Sequence, residues 1–457
     1  MFMAKMILAG AAIVVLLLGG SQLVSQTTAV VTVASDPGVR CGDIGAGGPI
    51  NGLTASQTAF FAAGQDDFLE VEGAPDGLGP RFNLDSCAGC HAQPAVGGTS
   101  PAPFLTPGPG CTPAPNPQVA MATFMGATNT VPSFIRADGP VREARFKFNA
   151  DFTRDGGVHA LYVISNRSDA PGCNISQENF ASQVAQNNVI FRIPTPTFGL
   201  GLIEQIPESV ILANQAANAS AKSLLGISGH PNRNGNDGTI TKFGWKAQNK
   251  SLLLFSGEAY NVEMGISNEL FQSERDETPS CQFTKLPNDT TDTTAASGVE
   301  TISAIEKFSF FMRFLAPPRP SGNTPGGSSS INNGSQLFSS VGCALCHTPT
   351  LTTGDSSVAA LRNKNVNLYS DLLVHNMGIG LTDNVIQGAA GPGEFRTAPL
   401  WGLGQRVFFL HDGRTSDLQA AILAHRSLGS EASAVINNFR ALGEGSKQDV
   451  LNFLRSL

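Results

Sequence analysis

Two pentapeptides constrain this chain more than anything else in it: Cys87-Ala-Gly-Cys-His91 and Cys343-Ala-Leu-Cys-His347. In each, two thiols stand one helical turn apart and a histidine follows the second directly, which is the spacing of covalent c-type haem attachment. On one turn both sulfurs reach the porphyrin vinyl groups as thioethers, and the imidazole swings beneath the iron as proximal ligand. A redox dithiol or a zinc half-site explains the cysteine pair but not the adjoining histidine in both copies. The sequence therefore predicts two covalent haems, held by Cys87, Cys90, Cys343 and Cys346, with His91 and His347 on the irons.

Burying two large flat groups takes an ample core. The chain has 457 residues, about three domain-sized units, with 41% hydrophobic residues and 28 Phe against 2 Trp and 3 Tyr. Charged residues are only 14%, and 50 Gly with 28 Pro favour long turns and loops. A net charge of -7 without any Lys/Arg run argues against nucleic acid or an anionic membrane surface as partner. Met1 to Lys5, the apolar run Met6 to Leu18 and Gly19-Gly-Ser21 have the order of an export signal, which places the protein in the periplasm. Cleavage near Ala34 gives a soluble form; an uncleaved segment gives a membrane anchor. Cys41, Cys111, Cys173 and Cys281 remain, enough for two disulfides in three possible pairings.

The expected fold is mainly α: two cytochrome c-like haem domains with a β- and loop-rich insertion in the N-terminal half. Residues 1–34 form the signal or anchor, 35–316 the first haem domain with its insertion at about 100–240, 317–333 a Pro/Gly/Ser linker, and 334–457 the second haem domain. Ser56 to Leu69 suits an amphipathic helix, whereas Val141 to Phe148, His159 to Ile164 and Val189 to Ile193 alternate as strands do. Asp237-Gly238 reads as a hairpin turn, and Ser446 with Asp449 as a capping-box pair opening a final helix.

Whether each iron has a second axial ligand separates electron transfer from chemistry. On Ser416 to His425, Leu418, Ile422 and His425 share one helical face, so His425 is the candidate for the C-terminal iron, with Met377 its rival. No His or Met lies within 29 residues after His91, which leaves the N-terminal iron open or dependent on a remote ligand such as His159.

Longer stretches carry a family resemblance. Gly79-Pro-Arg-Phe-Asn-Leu-Asp-Ser-Cys-Ala-Gly-Cys-His-Ala-Gln-Pro94, Phe243-Gly-Trp-Lys-Ala247 and Leu400-Trp-Gly-Leu-Gly404 resemble the bacterial di-haem oxidoreductases, sometimes labelled peroxidases or thiol oxidoreductases. More distantly the chain is similar to di-haem cytochrome c peroxidases and MauG-type enzymes. Asn261-Val-Glu-Met-Gly265 resembles the peroxidase Asn-Pro-Val-Glu-Met-Gly, which gives Glu263 the role of distal-pocket acid. The 18 positions from Trp245 to Glu263 match the interval that follows the tryptophan between the haems, and the interval from His411 to His425 matches that of the second haem's sixth ligand.

Three departures stand beside these matches. The distal histidine expected soon after His91 is missing, and Arg406 and Phe408 occupy the positions of a Thr and a Pro that supply an interhaem calcium, which leaves calcium open. The 153 residues between His91 and Trp245 exceed the peroxidase spacing, so the insertion is expected to shape a different partner surface. The resemblance implies an exported di-haem oxidoreductase that reduces hydrogen peroxide at the N-terminal haem. Electrons arrive through the C-terminal haem from a small cytochrome or cupredoxin, with Glu263 moving the proton and Trp245 relaying electrons. The alternatives are a pure electron carrier and MauG-type oxidation of a protein partner.

Overall fold

The computed structural model describes residues 33–40, 45–100 and 113–457; the expected leader up to Thr32, Cys41 and Cys111 lie outside them. Among the described residues there are fourteen α-helices and four small antiparallel sheets, so the chain is mainly helical. None of these helices is long and apolar enough to cross a membrane.

One arrangement occurs twice. In the N-terminal half the Ala55–Leu69 helix opens on a capping box between Thr54 and Gln57 and ends ahead of Cys87. It packs on the Ala304–Phe314 helix, with Phe60 on Phe310 at 4.8 Å and Phe61 on Phe311 at 5.3 Å between ring centres. The axes approach closely because residue 64 is glycine: a Cβ there would lie 2.2 Å from the Lys307 carbonyl oxygen. In the C-terminal half the Gly327–Ser340 helix precedes Cys343 and crosses the final Glu444–Ser456 helix at Gly334, where a Cβ would meet the Asp449 carbonyl oxygen at 2.0 Å. Phe338 and Phe453 pack edge to face beside that crossing.

Three local expectations change. The linker is shorter than 317–333, because the helix begins at Gly327 within the Gly/Ser run. Packing overrides propensity there: Ser330 donates to the Asp449 carboxylate and Gly334 allows the crossing. The final helix starts at Glu444, with Gly443 as its cap, so Ser446 lies inside it and caps nothing; Val450, Leu451, Leu454 and Leu457 are buried as expected. The insertion is not only strand and loop, since it carries helices Phe180–Ala185, Leu200–Glu204, Glu208–Ala216 and Ala219–Leu225.

Its sheet nonetheless positions the site. Strand Glu143–Phe146 lies between Val158–His159 and Val189–Arg192, in a register that sets Glu143 opposite Arg192 and Ala144 opposite both His159 and Phe191. The Asp237-Gly238 turn forms, with Gly238 at φ 72° and Arg233 bridging Ile240. Cys173 and Cys281 form a disulfide that ties the insertion to the segment beyond the Leu252–Met264 helix.

Candidate active site

Cys87 to Cys90 form one helical turn that the His91 N–H closes by donating to the Cys87 carbonyl at 2.9 Å. They open onto a cleft of about 1150 Å³, mouth included, walled by Phe68, Ile193, Phe255, Phe308 and Met312. The His91 Nδ1 donates to the Gly98 carbonyl at 2.9 Å, and burial pushes the imidazole down to about 4. It is therefore neutral at pH 7, and with Nδ1 as the donor the tautomer is the one that ligates through Nε2.

Glu263, in the last turn of the Leu252–Met264 helix, lines this cleft together with Glu143 and Arg145. Asn83 Nδ2 donates to Glu263 Oε2 at 2.8 Å. Burial, then the Glu143 charge, push Glu263 well above the ordinary carboxylate range. Burial would raise Glu143 as well, but the Arg145 guanidinium, 2.5 Å from its Oε1, holds it down. The sequence reading missed Glu143 and Arg145. Their alternation on a strand was visible, and two charges on one strand face ordinarily read as a solvated face.

The second cleft, about 1390 Å³ with its mouth, repeats the chemistry. The His347 N–H donates to the Cys343 carbonyl at 2.9 Å and its Nδ1 to the Tyr369 carbonyl at 3.0 Å. Burial again lowers the imidazole to about 4. His425 caps the Leu418–Ala424 helix and gives its Nδ1 proton to the Ala421 carbonyl at 2.8 Å; burial lowers it too, so it presents a free Nε2. His425 and Met377 both line this cleft, and His425 lies near enough to His347 to depress its protonation.

Trp245 lines both clefts. Its Nε1 donates to the Ile193 carbonyl at 2.9 Å, and its ring meets His411 edge-on at 6.4 Å, which stacks in turn on Phe395 at 4.3 Å. Below it, the buried Asp383 carboxylate takes Lys246 Nζ at 3.0 Å and Arg192 Nη2 at 2.6 Å. His159 is engaged elsewhere: Asp155 holds its Nε2 at 2.6 Å, Phe146 stacks on its ring at 3.6 Å, and it does not line the N-terminal cleft. The remote-ligand expectation for His159 therefore fails, because its imidazole is committed to the sheet.

The residues present suit haem at both places. The four attachment thiols are free, and burial pushes Cys87 and Cys343 up to about 12, which leaves little thiolate for disulfide exchange. In the second cleft Arg406 holds Nε and Nη2 buried without hydrogen-bond partners among the described residues, and burial lowers it to about 10. Two such unpaired donors call for an anion, and the porphyrin propionates would supply one. The same guanidinium works against a calcium ion beside it.

A family model described as "Di-haem oxidoreductase, putative peroxidase" matches residues 150–457. No curated protein matches the chain. Among solved structures the chain is similar to Kuenenia stuttgartiensis hydrazine synthase, at 16% identity over 35% of this chain and 56% of that one, with a TM-score of 0.23. It thus spans little more than half of that protein's length. A MauG-like protein associated with microbial copper homeostasis shares 15% identity over 55% of this chain and 89% of that one, TM-score 0.28. The diheme peroxidase BthA from Burkholderia thailandensis E264 shares 15% over 93% and 94%, TM-score 0.31.

Proposed function

The chain belongs to the di-haem oxidoreductase family, and from that premise we propose an exported enzyme that reduces peroxide at its N-terminal cleft with electrons delivered through its C-terminal cleft. The observation that carries this reading is the asymmetry of the two clefts. One contains a carboxyl kept protonated, Glu263; the other contains a second neutral histidine, His425. When bound, a haem supplies a redox-active iron at which a peroxide O–O bond can break.

The protein does the remaining work. Cys87 with Cys90, and Cys343 with Cys346, would anchor the two groups covalently, and His91 and His347 would ligate them through Nε2. His425 would offer a further imidazole in the second cleft, which would suit that cleft to electron transfer. Two methionines, Met264 and Met312, lie on the wall of the first cleft, and the Met264 sulfur is 4.0 Å from Cys87 Sγ. Glu263 delivers a proton to the leaving oxygen, held for that task by Asn83. Trp245, in both walls, relays electrons that a small cytochrome or cupredoxin provides at the second cleft.

Stopped-flow mixing of the haem-loaded protein with hydrogen peroxide tests this. Glu263→Gln should slow the reaction by about 10²- to 10⁴-fold, the usual effect of losing one acid-base group, and leave both haems attached. Equal rates would remove Glu263 from the mechanism. A wild type inert to peroxide with both haems low-spin would favour an electron carrier. A wild type whose peroxide-oxidised form decays only on adding a protein substrate would favour MauG-type chemistry.

A further inference from the structure

We propose that Arg396 and Arg406 pair the two propionates of the haem in the C-terminal cleft, one guanidinium to each, and so fix its orientation and raise its reduction potential. This rests on the placement of a haem there in the functional reading, adds two positioning residues to it, and does not depend on peroxide chemistry.

The argument begins with a charge count along the cleft wall. Among the described residues Glu431 is the one carboxylate lining it, and that carboxylate is already engaged. His375 Nδ1 stands 2.8 Å from its Oε2, and the Ser228 N–H donates to the same oxygen at 2.8 Å. The other nitrogen of His375 lies 3.0 Å from Asp371 Oδ2.

Two guanidiniums on the same wall are left over. Arg396, on the strand Glu394–Arg396, is 8% exposed, and its Nε donates to the Gly244 carbonyl at 3.1 Å. Its Nη1 and Nη2 make no hydrogen bond or ion pair with the described residues. Arg406, 9% exposed, follows the turn Leu403–Gln405 and is fixed through its backbone, its N–H on the Leu403 carbonyl at 3.2 Å and its carbonyl taking Arg455 Nη1 at 2.9 Å. Its side chain keeps Nε and Nη2 buried without partners among the described residues. Burial lowers both arginines only to about 10, so each is a cation at pH 7.

A buried cation without a counter-ion is costly, and two on one wall call for two anions. A haem carries two propionates, each a carboxylate that a guanidinium can take by two parallel N–H···O bonds. Number, sign and hydrogen-bonding pattern agree. The N-terminal cleft differs, because its arginines are engaged within the protein: Arg142 on the Asp412 and Phe134 carbonyls, Arg145 on Glu143 and Arg192 on Asp383. Reduction adds a negative charge to the bound group, so two cations beside it favour the reduced form. The Arg396 N–H also donates to the Trp245 carbonyl at 2.8 Å, which sets one of the two cations on the residue that lines both clefts.

Soret-excited resonance Raman spectra and a spectroelectrochemical titration of the haem-loaded protein test this without peroxide. Arg396→Leu and Arg406→Leu should each shift the bending band of one propionate. Each should also shift the oxidised-to-reduced ratio of the C-terminal haem about tenfold toward oxidised, a midpoint lower by about 59 mV for one electron. Lysine at either position keeps the charge and loses the planar fork, so Arg396→Lys and Arg406→Lys should restore most of the midpoint and leave the band shifted. Unmoved bands in the Leu variants overturn the proposal, even with a lowered midpoint, which would put a solvent anion rather than a propionate on the guanidinium. Where a Leu variant does not fold, its Lys counterpart decides by the same band. A tryptic peptide holding Cys343 and Cys346 without added haem mass would refute the functional reading and this proposal together. A protein that shows these shifts yet ignores peroxide would refute the peroxide reading and leave the arginine pair standing.

Discussion

A histidine that gives its Nδ1 proton to a backbone carbonyl has its tautomer chosen for it, and His91, His347 and His425 all do so, to Gly98, Tyr369 and Ala421. That shared device favours His425 over Met377 as the second cleft's free ligand, although both line it. His425→Gly should open one of the two irons and add a high-spin signal to the resting spectrum, whereas Met377→Ala should leave it low-spin; the reverse pattern would assign the role to Met377. The place of His425 on the second cleft's wall was legible in the sequence because its helical face and its interval from His411 agree. Cys87, Cys90, His91 and their C-terminal counterparts were legible because their chemistry needs only neighbours in sequence. Glu143 was not. Glu263 comes from a distant helix, and only the sheet register and that helix's packing bring Glu143 and Glu263 onto the wall of one cleft. Arg406 was read as a departure from a calcium pattern; its unpaired donors in the cleft wall became visible only with the fold.

The two glycine crossings show what a helix pair demands of its sequence. At Gly334 a methyl group would overlap the Asp449 carbonyl of the final helix, and backbone on that side cannot swing away as a flexible side chain would. Gly334→Ala should therefore destabilise the protein by about 1–3 kcal/mol, the usual range for overpacking a tight contact. Gly445, exposed in the same final helix with nothing within 4 Å of its absent Cβ, is the control. There Gly→Ala should be neutral or stabilising by about 0.5–1 kcal/mol, since alanine is the better helix former. Denaturant midpoints of the two variants check both signs, and equal effects would show that the crossing is looser than described. The same contact explains why the 317–333 linker was misjudged. Gly327 to Ser330 read as linker because Gly and Ser form helices poorly, but small residues at 330 and 334 are what the crossing requires.

Across the whole molecule, pH acts on stability through groups with no part in the clefts' chemistry. Glu274 keeps Oε1 buried without a hydrogen-bond partner among the described residues, and burial raises its carboxyl to about 8. Burial raises Glu72 to about 7, even with the Tyr260 hydroxyl donating to it at 2.7 Å. A carboxyl raised by folding binds its proton more tightly in the native than in the unfolded chain. Its stabilisation is complete below the unfolded value, 4.5 for Glu, and is lost as pH climbs through the folded value. Buried His411 works the other way. It is lowered from 6.5 to about 4, so between those values the unfolded chain binds more protons and stability rises with pH. Above 6.5 its contribution is complete and the raised carboxyls set the slope. Lys242 and Lys246, lowered by burial to about 8, begin to add stability only beyond that pH. Stability should therefore fall between pH 6.5 and 8. One proton per molecule corresponds to about 1.4 kcal/mol per pH unit, so Glu274 alone accounts for about 2 kcal/mol over that window. Urea midpoints of the haem-loaded protein at pH 6.5 and 8 measure the decline, and Glu274→Gln should remove about that amount of it. A flat wild-type profile, or a Glu274→Gln slope equal to the wild type's, would mean that Glu274 is ionised in the folded protein.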